Sequence, residues 1–365
     1  MWAPALWDAF THPAFMTWVP CNCVGENRIA ELKRAQLQPS RLVRVSLVAR
    51  SNYAAIAAHG VVLHTRAFGD FHFRPEHVFP SVEAAAVGGR VWHYVVIATK
   101  ALPDQSNEPS LISPLVGPDT CIVLIQNGVG IEHPFRARFP LAPIVSAVTV
   151  ISAQQEAPGV IRQHRWTRTS LGPYVHGGSS TNRNCNDATD QALNHRATVA
   201  SAELCRLLGQ EHGGIKDMEQ YNESDLQVIR WHKLCINAAM NPSAILSGGL
   251  GNADMVLDNE LREHLLGVMN EIWNTIPLVL GRPILAGLAT PDEIIESTSR
   301  NHGAKPSMLL DWEAVRPLEL EVVLGNPLRI AKQHGVVMPR TQTLYALLRS
   351  AQMQRKRNLK IGASL

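Results

Sequence analysis

Four short runs rich in valine and isoleucine constrain the fold of this chain most strongly. They are VRVSLVA at 43–49, YVVIA at 94–98, CIVLI at 121–125 and APIVSAVTVISAQ at 142–154. Runs of this length and composition are typical of parallel strands that are covered on both faces of a sheet. Helix-like segments such as SNYAAIAAHG lie between them, and Gly60 would end that helix. The alternation predicts an α/β fold with a doubly wound parallel sheet.

The pattern changes in the second half of the chain. The stretch 177–196, GGSSTNRNCNDATDQALNHR, is polar and rich in asparagine, which predicts a surface loop or insertion. Beyond it, DLQVIRWHKLCINAAMNPSAILSGG carries apolar residues at the i, i+3, i+4 and i+7 positions of a helix face, and two further strong helices follow. Because 365 residues suit two domains, we predict a first domain at 1–220 and an all-helical second domain at 221–365.

Composition excludes several classes of function. Hydrophobic residues make up 45% of the chain and charged residues 18%, as expected for a globular protein with a substantial core. The net charge of +3 is too small to indicate a nucleic-acid partner. Six cysteines without a paired CxxC or zinc spacing predict reduced thiols and no metal site. No apolar run approaches the roughly 20 residues of a membrane helix, and no signal peptide is apparent, so we expect a cytoplasmic protein.

Polar side chains stand where three of the predicted strands end. Arg50 follows the first strand, Lys100 the second and Asn127 the third. In open α/β sheets, ligands bind beyond the carboxyl ends of the strands, so these three groups would face one crevice. An arginine at the first position suits the 2′-phosphate of NADP, whereas an acidic residue would bind the ribose of NAD. The alternative is that each is an ordinary exposed residue at the tip of a strand.

Further polar candidates lie in the helical half. Lys233, Asn237 and Asn241 are spaced by four residues and therefore share one side of a helix, although core packing with satisfied amides would explain them equally well. The stretch KPSMLLDWEAVRPLELE adds Ser307 and Glu319. Ser307 could instead cap a helix, and the first turn of a helix favours a carboxylate such as Glu319 whatever its function.

Several longer stretches carry a specific resemblance. They are IVLIQNGVGIEHPF, PIVSAVTVISAQQEAPGVI, WHKLCINAAMNPSAILSGG and KPSMLLDWEAVRPLELEVVLGNPLRIAKQHGVVMPRTQTLYALL, together with VSLVARSNYAAIAAHGVVLHT and YVVIATKALPD. In this order they resemble the ketopantoate reductase (2-dehydropantoate 2-reductase) family, and the fungal branch is the most similar. The resemblance runs from about residue 43 to about residue 350, apart from the polar stretch 177–196.

The resemblance implies a Rossmann domain followed by an all-helical domain, with the active site in the cleft between them. It also implies NADPH-dependent reduction of a small 2-keto acid, ketopantoate to pantoate, in pantothenate biosynthesis, without a metal. Hydride arriving at a ketone carbon leaves an alkoxide, which a positioned ammonium can stabilise and protonate. By the resemblance, Lys233 is that catalytic ammonium and Glu319 fixes it or accepts a proton from the substrate hydroxyl. The implied substrate-binding residues are Asn237, Asn241 and Ser307.

On the cofactor side, the resemblance implies binding by Arg50, Lys100, Asn127 and a glycine-rich turn, of which Gly25 is the only glycine present. Aligned on Gly25, the motif G-x-G-x-x-G has Pro20 and Asn22 in place of its first two glycines. Proline removes a backbone N–H, and an asparagine side chain would crowd the pyrophosphate. The preceding stretch HPAFMTW also predicts a poor buried strand, so residues 1–42 are atypical.

Three interpretations of the chain stay open, and the first two concern its atypical N-terminus. The first exon is altered or mispredicted, or the chain as written is a non-catalytic relative with impaired NADPH binding. In the third, the protein is an NADPH-dependent reductase of another ketone or 2-keto acid, for instance in secondary metabolism. We also expect a homodimer.

Overall fold

The computed structural model describes residues 15–20, 43–176, 188–210 and 213–362, with the backbone alone at 15–20 and 359–362. Within these residues, the first domain is built on one sheet of ten strands. They are β1 (Phe15–Pro20), β2 (Val43–Val48), β3 (Val61–Thr65), β4 (Gly69–Phe73), β5 (His77–Phe79), β6 (Tyr94–Ile97), β7 (Cys121–Leu124), β8 (Ile144–Ala157), β9 (Val160–Tyr174) and β10 (Met218–Gln220).

The strands follow the order β4-β3-β9-β8-β7-β6-β1-β2-β5, and β10 pairs with β9. The neighbours β6, β7 and β8 are parallel, as are the pairs β2–β5, β3–β9 and β9–β10. The predicted Rossmann-like α/β fold is therefore confirmed. The sheet also contains a long antiparallel hairpin of β8 and β9, which extends β8 beyond the predicted end of that strand at residue 154.

Helices cover both faces of the sheet, which explains the continuous apolar runs. They are α1 (Tyr53–His59), α2 (Val82–Ala86), α3 (Glu108–Ile112), α4 (His133–Arg138) and α5 (Ala188–Leu208). In β6, Tyr94 and Val96 pack in the same core as Leu204 of α5. The alternate residues Val95 and Ile97 pack in the opposite core, which also contains residues of α2, α3 and α4. A strand buried on both sides has no polar face, and its sequence cannot alternate.

The prediction of a loop across 177–196 is wrong for its second part, because α5 begins at Ala188. Leu193, Ala197, Ala200 and Leu204 are buried at helical spacing, and the polar residues between them form the exposed face of the helix. Residues 177–187 lie outside the described part of the chain.

The stretch HPAFMTW predicted a poor buried strand, and the structure describes its residues 15–18 as part of β1, which lies between β2 and β6. There both edges of the strand find hydrogen-bond partners, which a buried backbone requires. However, β1 runs antiparallel to both neighbours: Phe15 lies opposite Val48, and Pro20 lies opposite Val43. The carboxyl end of β1 is therefore at the edge where β2 begins, away from the carboxyl ends of β2, β6 and β7. Gly25 lies outside the described residues.

The second domain is helical. Its elements are α6 (Glu223–Leu246), α7 (Asn252–Leu257), α8 (Asn259–Leu280), α9 (Pro291–Ser299), α10 (Ser307–Glu313), a π-helical turn (Glu321–Gly325), α11 (Asn326–Gln333) and α12 (Pro339–Gly362). The predicted apolar stripe of α6 is buried: Trp231, Leu234 and Ala238 are each at most 1% exposed. The domain limits themselves stay a prediction. In the described ranges, no helix has the length and apolarity to cross a bilayer, and no cluster of side chains could hold a metal ion.

Candidate active site

The turn after β7 joins the two domains. Gly128 in this turn has φ +90°, and a Cβ at this position would lie 2.5 Å from both the Cβ and the carbonyl oxygen of Val322. The next residue, Val129, donates its backbone N–H to the Val322 carbonyl over 2.9 Å. Only glycine fits both the left-handed backbone and this close approach. The turn that carries Asn127 is thereby fixed against the π-helical turn of the second domain.

Lys233 and Glu319 meet at Asn127. The Lys233 Nζ donates to Asn127 Oδ1 over 2.7 Å, and Asn127 Nδ2 donates to Glu319 Oε2 over 3.3 Å. The other carboxylate oxygen of Glu319, Oε1, accepts from the backbone N–H of Ala101 at 3.0 Å. A hydrogen-bonded chain thus runs from the middle of α6 through the turn after β7 to the loop that follows β6. The ammonium of the second domain is held by an amide of the first.

The surroundings of Lys233 and Glu319 bring their pKa values towards each other. Burial lowers the pKa of Lys233 to about 8; the charge of Arg230 acts in the same direction, while that of Glu319 opposes it. Burial also raises the pKa of Glu319, against the hydrogen bonds from Ala101 and Asn127 and the charge of Lys100. A lysine with a pKa near neutrality can give up its proton during a reaction, as a general acid must.

Lys100 reaches across the domain boundary but has a different partner. Its Nζ forms an ion pair with Asp311 of α10, whose side chain is 7% exposed. Arg316 Nε also bonds Asp311 Oδ1, over 3.0 Å. Lys100 therefore stands beside Glu319, to which its charge couples, and does not contact Lys233 directly. The sequence indicated Lys100 but not this ion pair.

The other predicted residues take varied positions. Asn237 is half-buried one turn after Lys233, and Asn241 is buried one turn further along the same side of α6. Ser307 is exposed as the first residue of α10. Its interpretation as a helix cap is wrong, because the cap position is occupied by Pro306. Arg50 is exposed just after β2, at the edge of the sheet where Lys100 and Asn127 stand, and its charge reaches Glu108.

Glu108, Thr99 and Gln126 form a polar cluster next to Asn127 that the sequence did not indicate. Glu108 accepts from Thr99 Oγ1, and it accepts from Gln126 Nε2 over 2.8 Å. Burial raises the pKa of Glu108, against these hydrogen bonds and the charge of Arg50. The cluster ties the residues that follow β6 and β7 to the start of α3.

Two spaces adjoin these residues. A cavity of about 10 Å³, enough for one water molecule, touches Lys233, Asn127 and Asn237. A cleft of about 730 Å³ opens between the 101–109 loop and the second domain, and its walls include Gln126, Val322 and Asn326. This volume lies within the range of about 300–1,000 Å³ that small-molecule and cofactor sites occupy.

These residues fit a nicotinamide dinucleotide in part. The carboxyl ends of β2, β6 and β7 present Arg50, Lys100 and Asn127 at one edge, and the chain neighbours Ala101 and Gln126 line the cleft. The reversed β1 does not bring its own carboxyl end to that edge, so the described residues lack the turn that would hold the pyrophosphate.

Comparison with known proteins identifies the family. The family model "Ketopantoate reductase PanE/ApbA" matches residues 21–176, and the model of its C-terminal domain matches residues 225–352. The chain belongs to the ketopantoate reductase family. Members of this family are oxidoreductases that use a nicotinamide cofactor.

Individual relatives agree with this membership. The chain is 31% identical to the uncharacterised protein YDL144C of Saccharomyces cerevisiae, over 89% of this chain and 91% of the yeast protein. It is 25% identical to the 2-dehydropantoate 2-reductase of a Nostoc species, over 84% and 86% of the two chains. Among solved structures, the 2-dehydropantoate 2-reductase of Methylococcus capsulatus superposes with a TM-score of 0.68 at 29% identity, covering 85% of this chain and 89% of that one.

Proposed function

We propose that this member of the ketopantoate reductase family reduces a 2-keto acid with NADPH, and that the substrate is 2-dehydropantoate. The observation that supports the proposal most is the chain Lys233–Asn127–Glu319, in which an ammonium with a lowered pKa borders a small cavity together with Asn127 and Asn237. A carbonyl oxygen placed at Lys233 would meet a proton donor at the moment when negative charge develops on it.

The bound NADPH would supply the hydride that adds to the ketone carbon. Lys233 would donate its proton to the carbonyl oxygen, which becomes the hydroxyl of the product. Asn127, itself bonded to Glu319, holds the Lys233 amine in place, and in this proposal Glu319 accepts a hydrogen bond from a substrate hydroxyl. In this proposal Asn237, Asn241 and Ser307 bind the carboxylate and hydroxyl groups of the substrate.

Arg50, Lys100 and Asn127 are the proposed cofactor-binding residues, with Gly25 as a further one outside the described part of the chain. Arg50 is exposed, and its guanidinium offers the planar donor fork that suits a 2′-phosphate. Lys100 and Asn127 would stand near the nicotinamide, because both adjoin Glu319.

The reversed β1 supports a second candidate, a non-catalytic relative with impaired cofactor binding. A dinucleotide site uses the backbone N–H groups at the carboxyl end of the first strand, and here that end faces the other edge of the sheet. The two candidates differ in a simple observable: only the enzyme binds NADPH and turns over.

Two measurements test the proposal. Fluorescence titration with NADPH tests cofactor binding, and oxidation of NADPH in the presence of 2-dehydropantoate, compared with other 2-keto acids, tests the substrate. We expect saturable binding and the highest kcat/KM with 2-dehydropantoate. A higher kcat/KM for another 2-keto acid would assign that substrate instead, and failure to bind NADPH would favour the non-catalytic candidate.

Variants assign the roles. Lys233→Ala should lower turnover by at least about 10²-fold, as expected for loss of a general acid. Lys305→Ala, which removes an exposed lysine paired with Glu313, is the matched control and should change little. Arg50→Ala should weaken NADPH more than NADH, and equal losses would contradict a 2′-phosphate contact.

We also propose that the protein is a cytoplasmic homodimer. Light scattering of the purified chain after size exclusion tests the dimer, and fractionation of cells tests the location.

A further inference from the structure

A buried ion pair lies one helical turn before Lys233. Arg230 and Glu132 are 3% and 1% exposed, and Arg230 Nε stands 3.1 Å from Glu132 Oε1. Glu132 also accepts from Ser146 Oγ at 2.7 Å and from Gln227 Nε2 at 3.3 Å. Burying two charges is costly, so a pair of this kind calls for a reason beyond stability.

The guanidinium of Arg230 binds the turn after β7 and the first part of β8. Its Nη1 donates to the carbonyl oxygens of Gln126 and Gly128, over 3.0 Å each. Its Nη2 donates to Ser146 Oγ over 2.5 Å and to the Ala147 carbonyl over 2.9 Å. The two carbonyl groups bound by Nη1 flank Asn127, the residue that accepts from Lys233. Arg230 therefore holds the turn that carries Asn127 by hydrogen bonds. This is the same turn that Gly128 fixes against the second domain.

We propose that Arg230 is a positioning residue for Lys233. Arg230 holds the turn that carries Asn127 in the position from which Asn127 accepts from the Lys233 amine, and it places a fixed positive charge beside that amine. The inference rests on the proposed role of Lys233 as the proton donor. Arg230 borders the same small cavity as Lys233, but its donors are directed to backbone carbonyls, Ser146 and Glu132.

The charged groups around Lys233 define the direction of the effect. Arg230 lies on the same helix and lowers the pKa of Lys233, and Glu319 on the facing segment raises it. Asn127, from the β7 turn, is uncharged. Lys100 and Asp311 lie beyond Glu319 and act on that carboxylate. Glu132 is paired with Arg230 and counters its charge.

The test measures the protonation of Lys233 without cofactor or ketone. The purified full-length chain is labelled briefly with acetic anhydride across a pH series, and mass spectrometry gives the labelled fraction at Lys233. In Arg230→Met the midpoint should rise by about one pH unit, the scale of the Coulomb interaction between two charges inside a protein. In Glu132→Gln the midpoint should fall, because the charge of Arg230 is then less compensated.

Three further variants separate charge from packing. Arg230→Met combined with Glu132→Met replaces the whole pair with apolar side chains, which a core tolerates, and should also raise the midpoint. Arg230→Lys keeps the charge but loses the fork, so its midpoint should stay near the wild-type value while turnover falls. Ser146→Ala, the uncharged control, removes a hydrogen bond to each partner and should leave the midpoint unchanged.

An unchanged midpoint in both the single and the double methionine variants would overturn the proposed charge effect. Wild-type turnover in Arg230→Lys would overturn the positioning role. Because labelling requires no turnover, an inactive wild-type protein whose Lys233 midpoint still responds as described would contradict the proposed reaction and leave the assignment of Arg230 to the Lys233 environment intact.

Discussion

Lys233 should make the protein less stable at neutral pH than an apolar residue in its place. Burial lowers the pKa of this amine from 10.5 to about 8. At about 1.4 kcal/mol per pH unit, the difference corresponds to about 3 kcal/mol that disfavours the charged form in the folded state. The hydrogen bond from Lys233 to Asn127 offsets about 1–2 kcal/mol. We therefore expect Lys233→Met to raise the free energy of unfolding at pH 7 by about 1–2 kcal/mol.

The sign of the pH dependence provides the sharper test. A lysine whose folded pKa is lowered binds fewer protons in the folded than in the unfolded state between pH 8 and 10.5, so wild-type stability should rise in this window. The advantage of Lys233→Met should be complete below pH 8 and decline as the pH approaches 10.5. The assay is urea unfolding of both proteins at pH 7 and pH 10, followed by circular dichroism.

Two results would refute this reasoning. Destabilisation by Lys233→Met at pH 7 would mean that the amine is well accommodated in the folded state. An advantage that is equal at pH 7 and pH 10 would mean that packing of the methionine, and not the charge, causes it. Glu319 should not reverse the effect, because burial raises the pKa of this carboxyl and favours its neutral form once the ammonium is gone.

Three further outcomes are expected. Gly128→Ala should lower the free energy of unfolding by about 2–5 kcal/mol, because it adds left-handed backbone strain and a clash with Val322. The control Gly281→Ala should lower it by only about 1–2 kcal/mol, because Gly281 has φ +65° but no atom within 4 Å of the new Cβ. Thermal unfolding of both variants compares these costs. The kcat/KM for ketone reduction should fall tenfold per pH unit above about pH 8, and a flat profile to pH 9.5 would exclude Lys233 as the titrating acid. Asp311→Asn should lower the free energy of unfolding by about 1–3 kcal/mol, because it loses the ion pairs with Lys100 and Arg316. The control Glu313→Gln breaks an exposed ion pair and should lower it by less than about 1 kcal/mol, and urea unfolding measures both variants.

The sequence predicted the sheet and the helical half because both patterns depend on burial alone. Strands covered on two faces read as continuous apolar runs, as at β6 and β7, and α6 shows its buried stripe at helical spacing. The start of α5 was missed because its exposed face is as polar as a loop, and its buried residues include small ones such as Ala197 and Ala200.

The orientation of β1 could not be predicted from the sequence, for a different reason. A strand of six residues has the same side-chain pattern in either direction, and only its partners determine which way it runs. The family resemblance implied a first strand that leads into a glycine-rich turn at the ligand-binding edge of the sheet. The structure instead places Pro20 beside Val43 at the opposite edge.

The candidate site was predictable residue by residue but not as an arrangement. Lys233, Asn127 and Glu319 were all named from the sequence, and the structure brings them into one hydrogen-bonded chain. Their separation along the sequence gave no distance between them. Arg230 and Glu132 were not named, although a charged residue among the apolar residues of α6 is a signal that sequence reasoning could have used.

The contact between Gly128 and Val322 restricts which sequences can share this architecture. A side chain at position 128 is excluded for as long as the backbone carbonyl of residue 322 keeps its position. This exclusion does not depend on which side chain residue 322 carries. A homologue that replaces this glycine would therefore need a compensating rearrangement almost two hundred positions downstream. A chimera that joins the first domain of one homologue to the second domain of another should fold only when both homologues are compatible at the contact between positions 128 and 322.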